Sequence, residues 1–298
     1  MINQFTSYQG VPGDDLVREL SYTKILQTGH TAVSQLSVVI IAFNEEKNIG
    51  RCIDSVRKIA DEIIVLDSFS TDGTVDIARS KGAIVKQERF RGYVEQKNRA
   101  LQLSSHNYVL SLDADEALDQ ELANSILAAK KEFAVQAYQM NRCANYCGRF
   151  IRHGLWYPDR KIRLFDKRVA RWGGTNPHDR IELDGKMPVK RLKGNILHYS
   201  YNNIEEHILQ NNHFSTISAR TMYEKGVRTN WLKMLVSPFW AFVNGYILRA
   251  GFMDGFYGFV IAVNTSHYTF LKYVKLRRMH RAIGSASIGA KPAERMSA

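Results

Sequence analysis

Apolar and polar positions are unevenly distributed along this chain. Residues 1–35 are polar and interrupted by Gly10, Pro12, Gly13 and Gly29, which leaves room for one short helix over Asp14–Gln27 in an otherwise mobile arm. Leu36–Phe43 is then a continuous apolar run rich in β-branched residues, as in a strand buried on both faces. Within Glu45–Lys58, Ile49, Ile53 and Val56 recur at helical spacing. Glu62–Asp67 predicts a second buried strand, a helix opens near Gly73, Ala83–Gln87 predicts a third strand, and Tyr93–Leu103 a further helix. Asn107–Leu112 predicts a fourth strand that runs directly into Asp113. Strands alternating with helices of this length imply βαβ units and a mostly parallel sheet.

From about Ala137 the pattern becomes irregular and basic, with short strands expected over Lys161–Phe165 and Asn195–Tyr199. After Asn202 it turns helical: Ile204–Lys225, then two apolar stretches, Met234–Leu248 and Gly255–Leu271. Four parts are expected: the arm 1–35, an α/β domain over 36–201, a helical extension over 202–280 and a disordered Ala/Ser/Gly-rich tail over 281–298.

Composition sharpens one point. A formal charge of +12 over 298 residues favours anionic partners, whether nucleic acid, phosphorylated substrates or acidic lipid headgroups, although a basic surface also serves solubility. The cysteines are Cys52, Cys143 and Cys147, a poor disulfide framework without a second pair at zinc-finger spacing, so ordinary thiols are expected. No basic start followed by an apolar run opens the chain, so a cytoplasmic protein, bound peripherally to the inner face of the membrane, is expected.

In open α/β sheets ligands bind beyond the carboxyl ends of the strands. Asn44 and Glu45 follow the first strand, Asp67 ends the second, and Asp113 and Asp115 follow the fourth, so polar and acidic residues gather at one edge. An isolated Asp-x-Asp is usually a helix cap; at this edge Asp113 and Asp115 can both approach a hard cation such as Mg²⁺ or Mn²⁺, which takes oxygen ligands and substrate phosphates. Asp67 can accept a hydrogen bond from a nucleobase or ribose, while Asp72 fits a capping role beside Gly73. Neither GxGxxG after the first strand nor GxxxxGK[ST] occurs, which disfavours dinucleotide dehydrogenases and P-loop nucleotidases.

Four segments carry a resemblance: Ala42–Glu46 (AFNEE), Asp67–Thr74 (DSFSTDGT), Gln96–Asn98 (QKN) and Leu112–Glu116 (LDADE). They resemble family-2 glycosyltransferases, and the chain is most similar there to the β-1,4-glucosyltransferases of lipopolysaccharide core assembly. His153–Asp159, Arg163–Phe165, Pro177–Asp179 and His198–Tyr201 extend the likeness over roughly Leu36 to Leu276. The resemblance implies a GT-A fold, a UDP-sugar donor and an inverting displacement at the anomeric carbon. It implies that Phe43, Asn44 and Glu45 lie near the uridine, that Asp67 binds the base and that Lys97 approaches the nucleotide or its diphosphate. It places Asp113 by the ribose and metal, with Asp115 as the direct metal ligand. Asp179 stands where the family commonly has a glutamate one methylene longer, and the N-terminal arm has no counterpart.

An acceptor hydroxyl needs a base, and Asp179 is the first candidate, with Glu182 in reserve; a salt bridge to an arginine is the other reading of Asp179. His178 is either a further metal ligand or a polar structural residue. Trp156, Tyr157 and Asp159 form either an acceptor-sugar platform or the surroundings of a core tryptophan. Neither C-terminal apolar stretch reaches the ~20 clean residues needed to span a bilayer. Bounded by Lys233, Arg249, Lys272, Lys275, Arg277 and Arg278, and rich in aromatics, they suit helices lying in the membrane interface or a layer packed on the sheet. The expected partners are a UDP-sugar, a glycolipid acceptor and an anionic membrane surface. The rivals are a basic nucleic-acid-binding α/β protein, for which no recognition motif appears, and a non-catalytic scaffold.

Overall fold

The computed structural model describes residues 34–175 and 178–288, with the side chains of Thr175, His178 and residues 282–288 outside the description. The expected N-terminal helix at Asp14–Gln27 and nearly all of the arm fall outside the described residues.

The α/β layer begins β1 (Leu36–Ala42), α1 (Ile49–Val56), β2 (Glu62–Asp67), α2 (Thr74–Ser80), β3 (Ile84–Gln87), α3 (Tyr93–Leu103) and β4 (Tyr108–Asp113). It continues with β5 (Glu116–Leu118), α4 (Gln120–Lys130), β6 (Ala137–Tyr146), β7 (Arg149–Phe150), β8 (Asp159–Asp166), β9 (Ala170–Thr175), β10 (His178–Leu183) and β11 (Val189–Tyr201). β1 is buried on both faces because its side chains alternate: Leu36, Val38, Ile40 and Ala42 join one core with Ile49, Ile53 and Val56 of α1, while Val39 joins the other with Ala100 and Leu101 of α3. Burying both faces is what a continuous apolar strand requires.

The main sheet runs β3-β2-β1-β4-β8-β6-β11-β5, with β7 on β6; β9 and β10 form a separate ribbon. Only the first part is parallel throughout, β3-β2-β1-β4. β8 is antiparallel to both neighbours, β6 and β11 are parallel, and β5 is antiparallel to β11. The sheet is therefore mixed, not mostly parallel, because β8 enters between β4 and β6 from a hairpin-like return instead of a helical crossover. Parallel β1, β2 and β4 aim their carboxyl ends at one edge, where Ala42 pairs with Asp67 and Ile41 with Asp113.

Only Asn202 and Asn203 separate β11 from α5 (Ile204–Glu224), which is followed by α6 (Trp231–Phe242), a π-turn over Val243–Leu248, a 3₁₀ turn over Gly251–Asp254 and α7 (Gly255–Ile288). The side chains of Asn203 and Asn230 accept from the backbone N–H groups of Glu206 and Lys233, capping α5 and α6 at 2.8 and 2.9 Å. α7 passes the boundary at residue 280 set by composition, since no proline interrupts it before Pro292 and Ala and Ser are tolerated in helices. α6 runs back along α7: Ser266 donates to the carbonyl of Pro238, and Arg277 lies over the Trp231 ring. Lys275 of α7 is tied to Asn212, Ser215 and Thr216 of α5. An aromatic knot joins this layer to the sheet, with Tyr146 edge-on to Trp156, Tyr201, His207 and Tyr257. Among the described residues no single helix is long and apolar enough to cross a membrane; the pair Trp231–Leu248 and Gly251–Arg281 passes only together, bent by 71°.

Candidate active site

The loops after β1 and β2 are locked to each other. Asn44 takes a positive φ of 55°, which asparagine tolerates; its N–H donates to Ser70 Oγ at 2.8 Å and its side-chain oxygen accepts from Thr71 N at 2.9 Å. Asp72 caps α2 through Thr74 and also accepts from Glu46 N. Phe43 and Phe69 project from these loops, both at least half exposed. Asp67 is fully buried and its carboxylate is already engaged, accepting from Ser70 N and Gln87 Nε2, each at 2.9 Å, and from Ser70 Oγ. Its role in this structure is to fold the 68–72 loop, so a base can reach it only by displacing Gln87 or Ser70.

A polar cavity of about 430 Å³ opens beside these loops, lined by Asn44, Glu45, Asp72, Asp115, Tyr199 and Ser200 among others. Burial, followed by the charges of Asp115, Asp72 and Asp113, raises the Glu45 pKa against a hydrogen bond from Asn48 that lowers it. Such crowding of carboxylates calls for a cation. Asp115 Oδ2 lies 3.0 Å from His198 Nε2, and the other ring nitrogen of His198 meets Ser200 Oγ, which orients the imidazole. His198 comes from β11, so the pair joins the turn after β4 to a strand 83 residues away. A carboxylate, an imidazole and room for phosphate oxygens suit Mg²⁺ or Mn²⁺, and these residues fit such an ion. Among the described residues no three Asp, Glu, His or Cys side chains converge as a complete cage, so water and diphosphate would have to fill the remaining positions. The His178 side chain lies outside the described residues; its backbone pairs with Thr175 in the β9–β10 ribbon.

Asp113 faces a different set of partners. Lys97 Nζ stands 2.9 Å from its Oδ1, without a hydrogen-bonding angle, and 2.7 Å from Asp179 Oδ2; Arg163 Nη2 is 3.2 Å from Asp113 Oδ2. Burial alone would raise the Asp113 pKa, but the Lys97 and Arg163 charges outweigh it and hold the carboxyl well below the ordinary range. Arg163 also bonds Glu116 at 3.0 Å, and Glu116 accepts from Arg142 Nε at 2.7 Å and from Asp113 N. Trp172 floors this network, with Lys97 Nζ 4.3 Å from its ring centre and its indole N–H donated to Ser111. Lys97 is thus enclosed between two carboxylates. Asp179 is in a salt bridge, but with Lys97 and not with the arginine expected from the sequence. Glu182 does not join it: three residues along β10 the side chain leaves the opposite face, lies over Gly173 and meets Arg180 at 3.3 Å.

The acceptor candidates are not gathered at the cavity. Trp156 stacks on Tyr201 with centroids 5.7 Å apart, the Tyr157 hydroxyl bridges Asn141 and Asn195, and Asp159 pairs with Lys161 at 3.0 Å. The first two act as packing and hydrogen-bonding residues of the sheet-to-helix junction. Cys52 and Cys143 are buried, the latter donating to the Ile151 carbonyl.

The parallel part of the sheet thus turns an acidic strand-end edge towards a polar cavity. The family model Glycosyl transferase family 2 matches residues 37–183. An uncharacterized glycosyltransferase of Rickettsia typhi is 33% identical over 258 residues, covering 83% of this chain and 88% of the relative. The lipopolysaccharide core biosynthesis glycosyltransferase LpsC of Rhizobium meliloti is 32% identical over 254 residues, covering 82% and 93%. The chain belongs to glycosyltransferase family 2, has a GT-A fold and is a glycosyltransferase. Among solved structures, glucosyl-3-phosphoglycerate synthase from Mycobacterium tuberculosis with Mn²⁺, UDP and glucosyl-3-phosphoglycerate is 28% identical with a TM-score of 0.33. That match covers 39% of this chain and 46% of the synthase, so this chain spans less than half of it.

Proposed function

We propose that the protein transfers a hexose, glucose first, from a UDP-sugar to a glycolipid acceptor such as a lipopolysaccharide inner-core saccharide, with a divalent cation, at the cytoplasmic face of a membrane. The observation that carries the reading is the Asp115–His198 pair at 3.0 Å on the rim of the polar cavity, with Glu45 nearby. The acceptor class rests on the likeness to LpsC over 82% of the chain. Bound Mg²⁺ or Mn²⁺ would neutralise charge on the departing diphosphate as a Lewis acid, held by Asp115 and His198.

The residues of the chain account for the remaining steps. Asn44 and Glu45 line the pocket for the nucleotide, and the exposed ring of Phe43 offers a face to the uracil. The acceptor hydroxyl oxygen attacks the anomeric carbon as the sugar–phosphate bond breaks, UDP departs with the bonding electrons, and the hydroxyl proton passes to Asp179. Lys97 orients Asp179 through the 2.7 Å contact, and Asp113 shares the ammonium so that it is not committed to one carboxylate. Calorimetry of UDP and UDP-glucose with and without Mn²⁺ tests this. Metal-dependent binding that Asp115→Ala abolishes is expected, and equal binding in all four cases would overturn it.

Membrane docking is supported by the helical layer. Trp231, Leu232, Leu235, Val236, Phe239 and Trp240 lie exposed on one face of α6, Phe256, Phe259 and Val263 are exposed on α7, and Phe252 is exposed on the 3₁₀ turn between them. Together they form an uncharged strip, with Lys233, Lys272 and Arg277 at one end set against Tyr273, Tyr268 and Trp231 rings. Such a strip suits a helix pair lying in the bilayer interface.

A further inference from the structure

Three arginines come from the segments joined at the corner between α6 and α7. Arg149, Arg152 and Arg249 are exposed, and among the described residues none of their guanidinium groups is matched to a carboxylate. Their backbones are drawn together by one clamp. Asp254, only 4% exposed, accepts from Arg152 N at 3.1 Å, His153 N at 2.8 Å and His153 Nδ1 at 3.1 Å. Gly154 N donates to the Arg249 carbonyl at 2.9 Å. An Arg149 guanidinium nitrogen lies 3.7 Å from where a side chain would begin on Gly255, the first residue of α7. The corner itself is tightly closed, since a Cβ on Gly258 would stand 1.9 Å from the Gly251 carbonyl oxygen.

Two chemistries meet here. Ile247, Leu248, Phe252, Met253 and Phe256 are all exposed around the same corner and end the apolar strip. Asp254, the carboxylate within the corner, is engaged by backbone N–H groups and His153 and forms no ion pair with the three arginines. Planar guanidinium forks bind phosphate oxygens in pairs, and apolar side chains beside them suit acyl chains.

We propose that this corner binds the phosphate of an anionic lipid headgroup through Arg149, Arg152 and Arg249, while the five apolar side chains enter the acyl region below it. The proposal rests on the membrane reading above and deepens it by naming the lipid class and its site. The lipid phosphate fills the charge that the fold gathers and leaves unpaired.

Flotation of the full chain on phosphatidylcholine vesicles, with and without phosphatidylglycerol, tests it. At about fivefold per basic residue near an anionic surface, Arg149→Gln/Arg152→Gln/Arg249→Gln should weaken binding to the phosphatidylglycerol vesicles by about a hundredfold. Lys190→Gln/Arg191→Gln/Lys193→Gln removes the same charge from exposed positions at the start of β11 and should leave binding within about twofold of the parent. Equal losses in both triple variants would reduce the effect to general basicity and overturn the site. Loss only in Phe252→Glu/Phe256→Glu would overturn it too, while leaving the membrane reading intact. A parent chain that floats with neither vesicle overturns both. Unchanged UDP binding in each variant shows that the fold is kept.

Discussion

Lys97 Nζ stands 2.7 Å from Asp179 Oδ2, and the same ammonium is 2.9 Å from Asp113 Oδ1. One buried cation therefore joins Asp113, at the end of β4, to the carboxylate proposed above as base. Lys97→Met should leave two carboxylates facing each other in a nearly dry site. Breaking a buried pair on one side costs about 3–5 kcal/mol, and urea denaturation should show a loss of that order, with turnover falling as well.

Asp179→Asn keeps the size of the side chain and removes its basicity. Turnover should fall about 10²–10⁴-fold with little change in UDP affinity, whereas Glu182→Gln, on the other face of β10, should stay close to the parent. Initial rates of UDP release separate the two.

His198→Ala should reproduce the Asp115→Ala phenotype: UDP affinity in Mn²⁺ drops to the value measured in chelator. His198→Gln, which keeps a polar group but is a poorer ligand, should restore little of it. A titration that finds full metal-dependent affinity in His198→Ala would remove this residue from the cation site.

His207 gives stability a pH dependence. Burial lowers its pKa from 6.5 to about 4, and it accepts from Asn211 Nδ2 and meets the Tyr146 hydroxyl as a neutral ring. The unfolded chain takes up the proton first as pH falls, so the contribution is complete above about 6.5, is lost progressively down to about 4 and is constant below. Melting temperatures measured across that window should decline in the parent and be flatter in His207→Gln.

Gly258→Ala should loosen the α6–α7 corner, because its methyl cannot coexist with the Gly251 carbonyl at 1.9 Å. Overpacking of this kind costs about 1–3 kcal/mol. Limited proteolysis should then cut within residues 151–158, which the corner holds in place.

The strands of the parallel half were legible because each is an apolar run that needs cover on both faces; Leu36–Phe43 contains all of β1, Leu36–Ala42. β8 to β11 were harder to read. DRKIRLFD and HDRIEL carry charges that pattern assigns to solvent, yet Arg163 and Asp166 are nearly fully buried. Their pairing depends on partners far along the chain, which local periodicity does not encode. Asp115 was found because it follows a strand end. His198 was missed as a partner because it lies 83 residues further on, although the apolar Ile196-Leu197 before it marked another strand reaching a polar edge. Lys97 and Glu116 went unread as a buried network because a charged residue in sequence carries no sign of being enclosed.

The two-residue join between β11 and α5 has a consequence for which sugars can be reached. With Asn202 and Asn203 as the whole link, and with residues 152–154 fastened to the far end of the helical layer, the layer has no slack in which to swing. Docked as proposed above, the molecule would hold its transfer centre at one altitude above the lipid, so that sugars attached too near the acyl chains, or too many units out, would fall outside its grasp and ruler length would share in selecting acceptors.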